Sequence, residues 1–150
     1  MHKMGAALHK HRESNLLVIR VMSKLPTQVL EDLFAALDRR DPESTVAVMS
    51  PDVVMVDEIS RCWLRGKAAV ASQIKAVLSA ADSVQSRLSD LQIQPLGPQV
   101  MLVTGWLDQA YRLSGEEQII TAPLSACLQA HEDSWIVVSL HAIPLMDAKV

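Results

Sequence analysis

Aromatic side chains are scarce: three Trp, one Tyr and one Phe in 150 residues, so each must be weighed by its position. No charge of one sign dominates. The net charge of −3 gives no field for gripping nucleic acid. Long apolar runs are missing as well, none approaching the roughly 20 residues a membrane span needs. The one near the start, Leu16 to Met22, is short, is broken by Arg20 and lacks a small-residue cleavage site, so it does not read as an export signal. Cys62 and Cys127 stand alone without metal spacing, which suits reduced thiols in a cytoplasmic protein. HExxH, a nucleophile elbow, a Walker loop and the dinucleotide glycine fingerprint are all missing, and no metal, nucleotide, haem or other cofactor is implied. His9-Lys-His11 is a poor metal site on a tail, and His131-Glu132-Asp133 reads as a polar turn.

What is present is an ordinary globular balance, 49% apolar and 21% charged, in a length that suits one domain with a real core. Charge is uneven along it. Residues 1–22 hold Lys3, Lys10, Arg12 and Arg20 against Glu13, a charge of +3, which leaves −6 for the rest of the −3 chain. The expectation is a flexible extension over 1–22 and one domain over 23–147; Met22 itself looks like a plausible start.

Val29, Leu30, Leu33, Phe34 and Leu37 fall on one helix face, with Thr27 as cap, Glu31 and Asp32 in the first turn, and Arg39 and Arg40 in the last. Asp41-Pro42 restarts a short helix, with Asp41 as N-cap. Residues 52–57 read as a strand ending on Asp57. A third helix follows Gly66, with Val70, Ile74, Val77 and Leu78 on one face. Strands then take over: Val84 to Gln94, Val100 to Arg112 with a bend at Gly105, Gln118 to Ala130, and Trp135 to Ile143. Pro123 argues for a bulge or an edge position in its strand. Helices followed by a bent antiparallel meander make an α+β layer fold with a conical space between sheet and first helix.

Residues 27–145 resemble the nuclear-transport-factor-2-like superfamily, which includes the SnoaL-like polyketide cyclases and the ketosteroid isomerases. The resemblance rests on Phe34-Ala-Ala-Leu-Asp-Arg-Arg-Asp41, Met49-Ser-Pro-Asp-Val-Val54, Leu64-Arg-Gly-Lys-Ala-Ala-Val70 and the ending Trp135-Ile-Val-Val-Ser-Leu-His141. It implies a cone-shaped, cystatin-like fold of three helices on a curved antiparallel sheet, often dimeric through the outer sheet face, with an apolar pocket inside.

Under that resemblance Asp57 matches the carboxylate that ketosteroid isomerases use to take a proton from carbon beside a carbonyl. The isomerase's oxyanion donors have no match: Leu33 stands where it has a Tyr and Ser125 where it has a protonated Asp, so isomerase activity itself is not expected. The competing reading of Asp57 is a rim residue that caps the turn or pairs with Arg61 or Arg65. His141 is either a proton relay or a structural histidine. Strand parity sets Trp135, Val137, Ser139 and His141 on one face unless a bulge intervenes, whereas alignment with the isomerases turns Leu140 and Ala142 inward. Phe34 and Leu37 would roof the pocket, and Met55, Ser125 and Cys127 would line it. Trp63 would cover its mouth or pack under the loop. Only one of Trp106 and Tyr111 can face inward. Ala122, Leu124, Ala126 and Leu128 would then form the apolar outer face.

Two principal readings follow. One is an enzyme acting on an apolar carbonyl or polyketide-like compound by isomerisation, cyclisation or dehydration, with Asp57 as base and His141 or Ser125 as polar partner. The other is a non-catalytic domain that binds a small hydrophobic molecule or assembles as a homodimer.

Overall fold

The computed structural model describes residues 22–57 and 61–144. The expected extension therefore lies outside the described residues apart from Met22, which packs against the core.

Helix α1 (Pro26–Asp38) begins one residue before the expected Thr27 cap. Pro26 takes the first helical position and holds Leu25 extended, as a residue before proline must be. The Gln28 side chain accepts the Leu25 N–H at 2.8 Å, reaching back from the first turn to the residue that precedes it. After α1, Asp41 caps the short α2 (Pro42–Ala47) as expected, accepting the Ser44 N–H at 3.0 Å. Strand β1 (Met49–Asp57) is followed by a four-residue strand, β2 (Cys62–Arg65), too short to be read from its pattern. Gly66, at φ 87°, turns the chain into α3 (Lys67–Ala80) through a bond from its N–H to the Val53 carbonyl. Four long strands complete the chain: β3 (Ala81–Gly97), β4 (Val100–Leu113), β5 (Glu116–His131) and β6 (Ser134–Ala142).

The six strands form one sheet in the order β2-β1-β6-β5-β4-β3. All neighbours are antiparallel except β1 and β6, so the sheet is mixed rather than wholly antiparallel. Pro123 sits in the interior strand β5, with no register shift on the β4 side. It is tolerated because its carbonyl, and hence its missing N–H, faces the end of β6, where Ile143 donates to that carbonyl at 3.1 Å.

Burial assigns the two faces of the sheet, and here two expectations are corrected. Ala122, Leu124, Ala126 and Leu128 are 0–3% exposed and belong to the core beneath α1. They are not the outer face. Ser125 and Cys127, between them in sequence, point the other way. On β6, Trp135 and Val137 face the core, and the pairing with β5 then slips between Cys127 and Leu128. That bulge at Val138 returns Leu140 and Ala142 to the inner side and sends Ser139 and His141 out. The core runs from Leu30, Leu33 and Phe34 on α1 to Val53, Val70, Val103, Leu128 and Val137. Each such side chain, fully buried, contributes about 1.5–3 kcal/mol.

Candidate functional site

The wide end of the cone stays open. A cavity of about 410 Å³ lies between α3, the end of β1 and the inner face of β3 and β4. A smaller chamber of about 140 Å³ continues it toward Leu33, Phe34 and Leu140 beneath α1. Leu37, Met55, Ile74 and Gln109 line both spaces. Such a volume with mostly aliphatic walls and few polar groups is the ordinary form of a small-molecule site.

Asp57 is the last residue of β1. Strand alternation gives it the inward parity of Met55, whose partner Leu140 lines the inner chamber. It is 9% exposed and lines the larger cavity. Tyr111 and Gln109, two residues apart on β4, contribute a phenol and an amide to the same cavity. Tyr111, paired with Val84, faces inward, whereas Trp106, paired with Pro123, faces out. Gln109 was not singled out from the sequence, although its parity with Tyr111 was a usable signal.

Arg40 ties the cavity wall together. Its guanidinium donates to the Leu78 carbonyl at 2.6 Å and to the Asp82 carbonyl at 3.2 Å. A cation thus satisfies the open end of α3, and the end of α1 is fixed to the start of β3.

The remaining sequence-derived candidates lie on the opposite side of the sheet. Ser125 and His141 face each other across β5 and β6, and with Trp106, Thr104 and Asp90 they line an outer depression of about 380 Å³. Trp63, 58% exposed, meets the His141 ring edge-on at 5.6 Å, and the Arg65 guanidinium lies 5.4 Å from the Trp63 ring centre. Cys127 pairs with Ser139 on that face. The structure therefore brings Leu33, Phe34, Leu37, Met55 and Asp57 together inside. It places His141, Ser125, Cys127, Trp63 and Trp106 outside, where the sheet separates them from Asp57. No group of residues that could hold a metal ion occurs among the described residues.

A helix-roofed cone with an open, mostly apolar cavity is the form of the nuclear-transport-factor-2-like class. Residues 27–146 match the SnoaL-like domain, and the chain belongs to that family. Among solved structures, the chain is similar to a protein from Novosphingobium aromaticivorans provisionally called a scytalone dehydratase. The identity is 14% over 90% of this chain and 89% of that one, with a TM-score of 0.74. It is also similar to a protein from Streptomyces avermitilis, of the NTF2-like family, provisionally called a dehydratase. There the identity is 18% over 80% and 93% of the two chains, with a TM-score of 0.72. A third, from Xanthomonas campestris, is provisionally called a calcium/calmodulin-dependent protein kinase II association domain (12% identity, 85% and 96% covered, TM-score 0.72). At these identities the likeness concerns the fold. No curated protein matches the chain. No helix among the described residues is long and apolar enough to cross a membrane.

Proposed function

We propose that the chain binds a small, planar, largely apolar carbonyl compound in the cone and that Asp57 acts on it as a general base. The observation that carries this reading is a buried carboxylate on the wall of an open cavity of about 410 Å³. Asp57 takes a proton from the carbon beside the carbonyl, and the electron pair moves on to the carbonyl oxygen. The Tyr111 hydroxyl and the Gln73 amide, on the same cavity wall, are donors available to that oxygen, in place of the two donors an isomerase would supply. Where a double bond is conjugated with the enolate, the proton held by Asp57 returns at its far carbon, which is isomerisation; where the neighbouring carbon bears a hydroxyl, the carbonyl re-forms, the C–O bond breaks and the hydroxide leaves as water with that same proton, which is dehydration. The names given to two of the structural neighbours agree with the second outcome. His141 and Ser125, across the sheet, take no part.

The test is exchange of the ligand's carbon-bound protons. Incubated with protein in heavy water, a tetralone should exchange its acidic C–H protons faster than in buffer, and Asp57→Asn should remove the acceleration while leaving binding intact. Equal exchange with both proteins would refute the base.

The outer sheet face favours a second, compatible reading, a homodimer. Trp63, Trp106 and Ile143 are 58%, 39% and 68% exposed on or beside that face. Apolar groups of this size clustered on one surface are the mark of an interface. Trp106→Glu should shift the sedimentation coefficient from dimer to monomer without changing ligand binding in the cone.

A further inference from the structure

The polar wall of the cone is a chain of hydrogen bonds whose direction is dictated. Asp38, at the end of α1, accepts the Ser86 backbone N–H on Oδ2 at 2.9 Å and the Ser86 hydroxyl on Oδ1 at 2.7 Å. A hydroxyl carries one proton, and a carboxylate can only accept. With its proton committed to Asp38, Ser86 Oγ meets any third group as an acceptor. That group is Gln109, whose Nε2 donates to it at 3.0 Å. The network thus sets the polarity of the Gln109 amide, with nitrogen toward Ser86 and the carbonyl turned away.

Gln109 lines both the cavity and its inner chamber. No buried side-chain oxygen or nitrogen among the described residues lacks a partner. Gln109 Oε1 accepts no bond from those residues, so it opens on accessible space. A clamp that spends a carboxylate, a hydroxyl and an amide nitrogen to present one carbonyl oxygen is more than solubility requires.

We propose that Gln109 is the specificity-determining residue of the cone, an acceptor of fixed polarity that selects ligands bringing a hydroxyl, phenolic or enolic, to that wall. The proposal deepens the reading of the cone as a ligand site and rests on it. An ether or ketone oxygen in the same place would meet Oε1 acceptor to acceptor and lose its water without gaining a bond. A neutral hydrogen bond in a partly buried site separates such ligands by roughly fivefold to tenfold in affinity.

The experiment is calorimetric titration with three probes, a naphthol, its methyl ether and the corresponding methyl ketone, against wild type, Gln109→Met and Asp38→Asn. Wild type should prefer the naphthol by roughly fivefold or more over the other two. Gln109→Met should bind all three about equally. Asp38→Asn carries the sharper expectation. The Ser86 backbone N–H keeps the Asn oxygen on its side, so the Asn NH₂ replaces Oδ1 beside Ser86 Oγ. The Ser86 proton is then released toward Gln109, the amide reverses, and preference moves to the ketone. The Gln109 side-chain amide protons, followed by nitrogen-resolved NMR, should shift in Asp38→Asn and in Ser86→Ala without ligand, which checks the clamp in folded protein. Equal wild-type affinity for the three probes overturns the proposal while the cone remains a ligand site. No binding of any probe overturns both. An unchanged preference in Asp38→Asn, with the amide signals unmoved, shows that the clamp does not set the polarity.

Discussion

Gly105 is the position where adding one methyl group should be felt most. It sits mid-strand in β4, opposite Leu124, where β3 is distorted: its pairing slips between Ser89 and Gln92, and Asp90 has φ 52°. A Cβ on Gly105 would lie 2.6 Å from Leu91 Cδ2 and 2.8 Å from the Ser89 carbonyl oxygen, with the Asp90 oxygen at 3.3 Å. Ordinary carbon contacts need roughly 3.5–4.0 Å. The Leu91 methyl can rotate away, but the Ser89 oxygen belongs to the bulged backbone and cannot move without it. Overpacking of this kind costs about 1–3 kcal/mol, offset by the roughly 0.5–1 kcal/mol that alanine gains over glycine inside an element. The net, about 0.5–2 kcal/mol, should lower the Tm of Gly105→Ala by about 1–8 °C for a chain of this length. Differential scanning calorimetry of Gly105→Ala, Leu91→Ala and the double variant separates the two walls. If the backbone oxygen is the obstacle, Gly105→Ala keeps more than half its cost in the Leu91→Ala background. An unchanged Tm, or full rescue by Leu91→Ala, would refute the reasoning.

Leu128→Ala, at a site 0% exposed within the core, should cost about 2–5 kcal/mol in urea unfolding with little change in m. Ser125→Ala, on the other face of the same strand, should stay within about 0.5 kcal/mol; equal costs would mean that the faces are exchanged. Asp108 accepts bonds from the Arg87 guanidinium at 2.7 Å and from Thr121 Oγ1 at 2.8 Å, and these hold its carboxyl below the ordinary carboxylate range. A lowered folded-state value means that the contribution is present above the unfolded value of about 4 and fades as pH falls through the folded one. Arg87→Met should therefore lower stability slightly at neutral pH, as the loss of an exposed pair does, and the difference from wild type should vanish as pH falls through the folded value; a difference that persists unchanged at acid pH counts against the pair.

The helices and long strands were legible because their apolar residues repeat with clear periods and their ends carry Pro, Gly and Asp. The helix face from Val29 to Leu37 and the Asp41 cap are of this kind. The faces of β5 were not, and the reason is physical. Ala122-Pro-Leu-Ser-Ala-Cys-Leu128 is small or apolar at every position, so alternation leaves both registers open. The bulge at Val138 then reversed the simple parity of β6, and a bulge inside a run of Ile-Val-Val leaves no local mark. Asp57 could be singled out as a candidate because a carboxylate ending an apolar strand is conspicuous. The Asp38–Ser86–Gln109 network could not, since its bonded pairs lie 48 and 23 residues apart, Ser86 facing Gln109 in the β3–β4 register and Asp38 reaching Ser86 from α1. Intrinsic fluorescence would report poorly on the cone for a related reason. Trp63 and Trp106 are outside it and Trp135 is packed in the core, so of the Trp and Tyr side chains it is Tyr111 that lies on the cavity wall.

The proposed ligand site is the open cone with Asp57 on its wall. The direct measurement is methyl-resolved NMR during titration of a naphthol whose hydroxyl is partly ionised at the working pH, with wild type and Asp57→Asn compared. The methyls of Ile74, Val77, Val84 and Leu113 should shift together and saturate, and removing the Asp57 charge should tighten the naphtholate by about tenfold, a pair of like charges having been separated. Shifts confined to Thr104 and Ile143 on the outer face, or identical affinities for the two proteins, would contradict it.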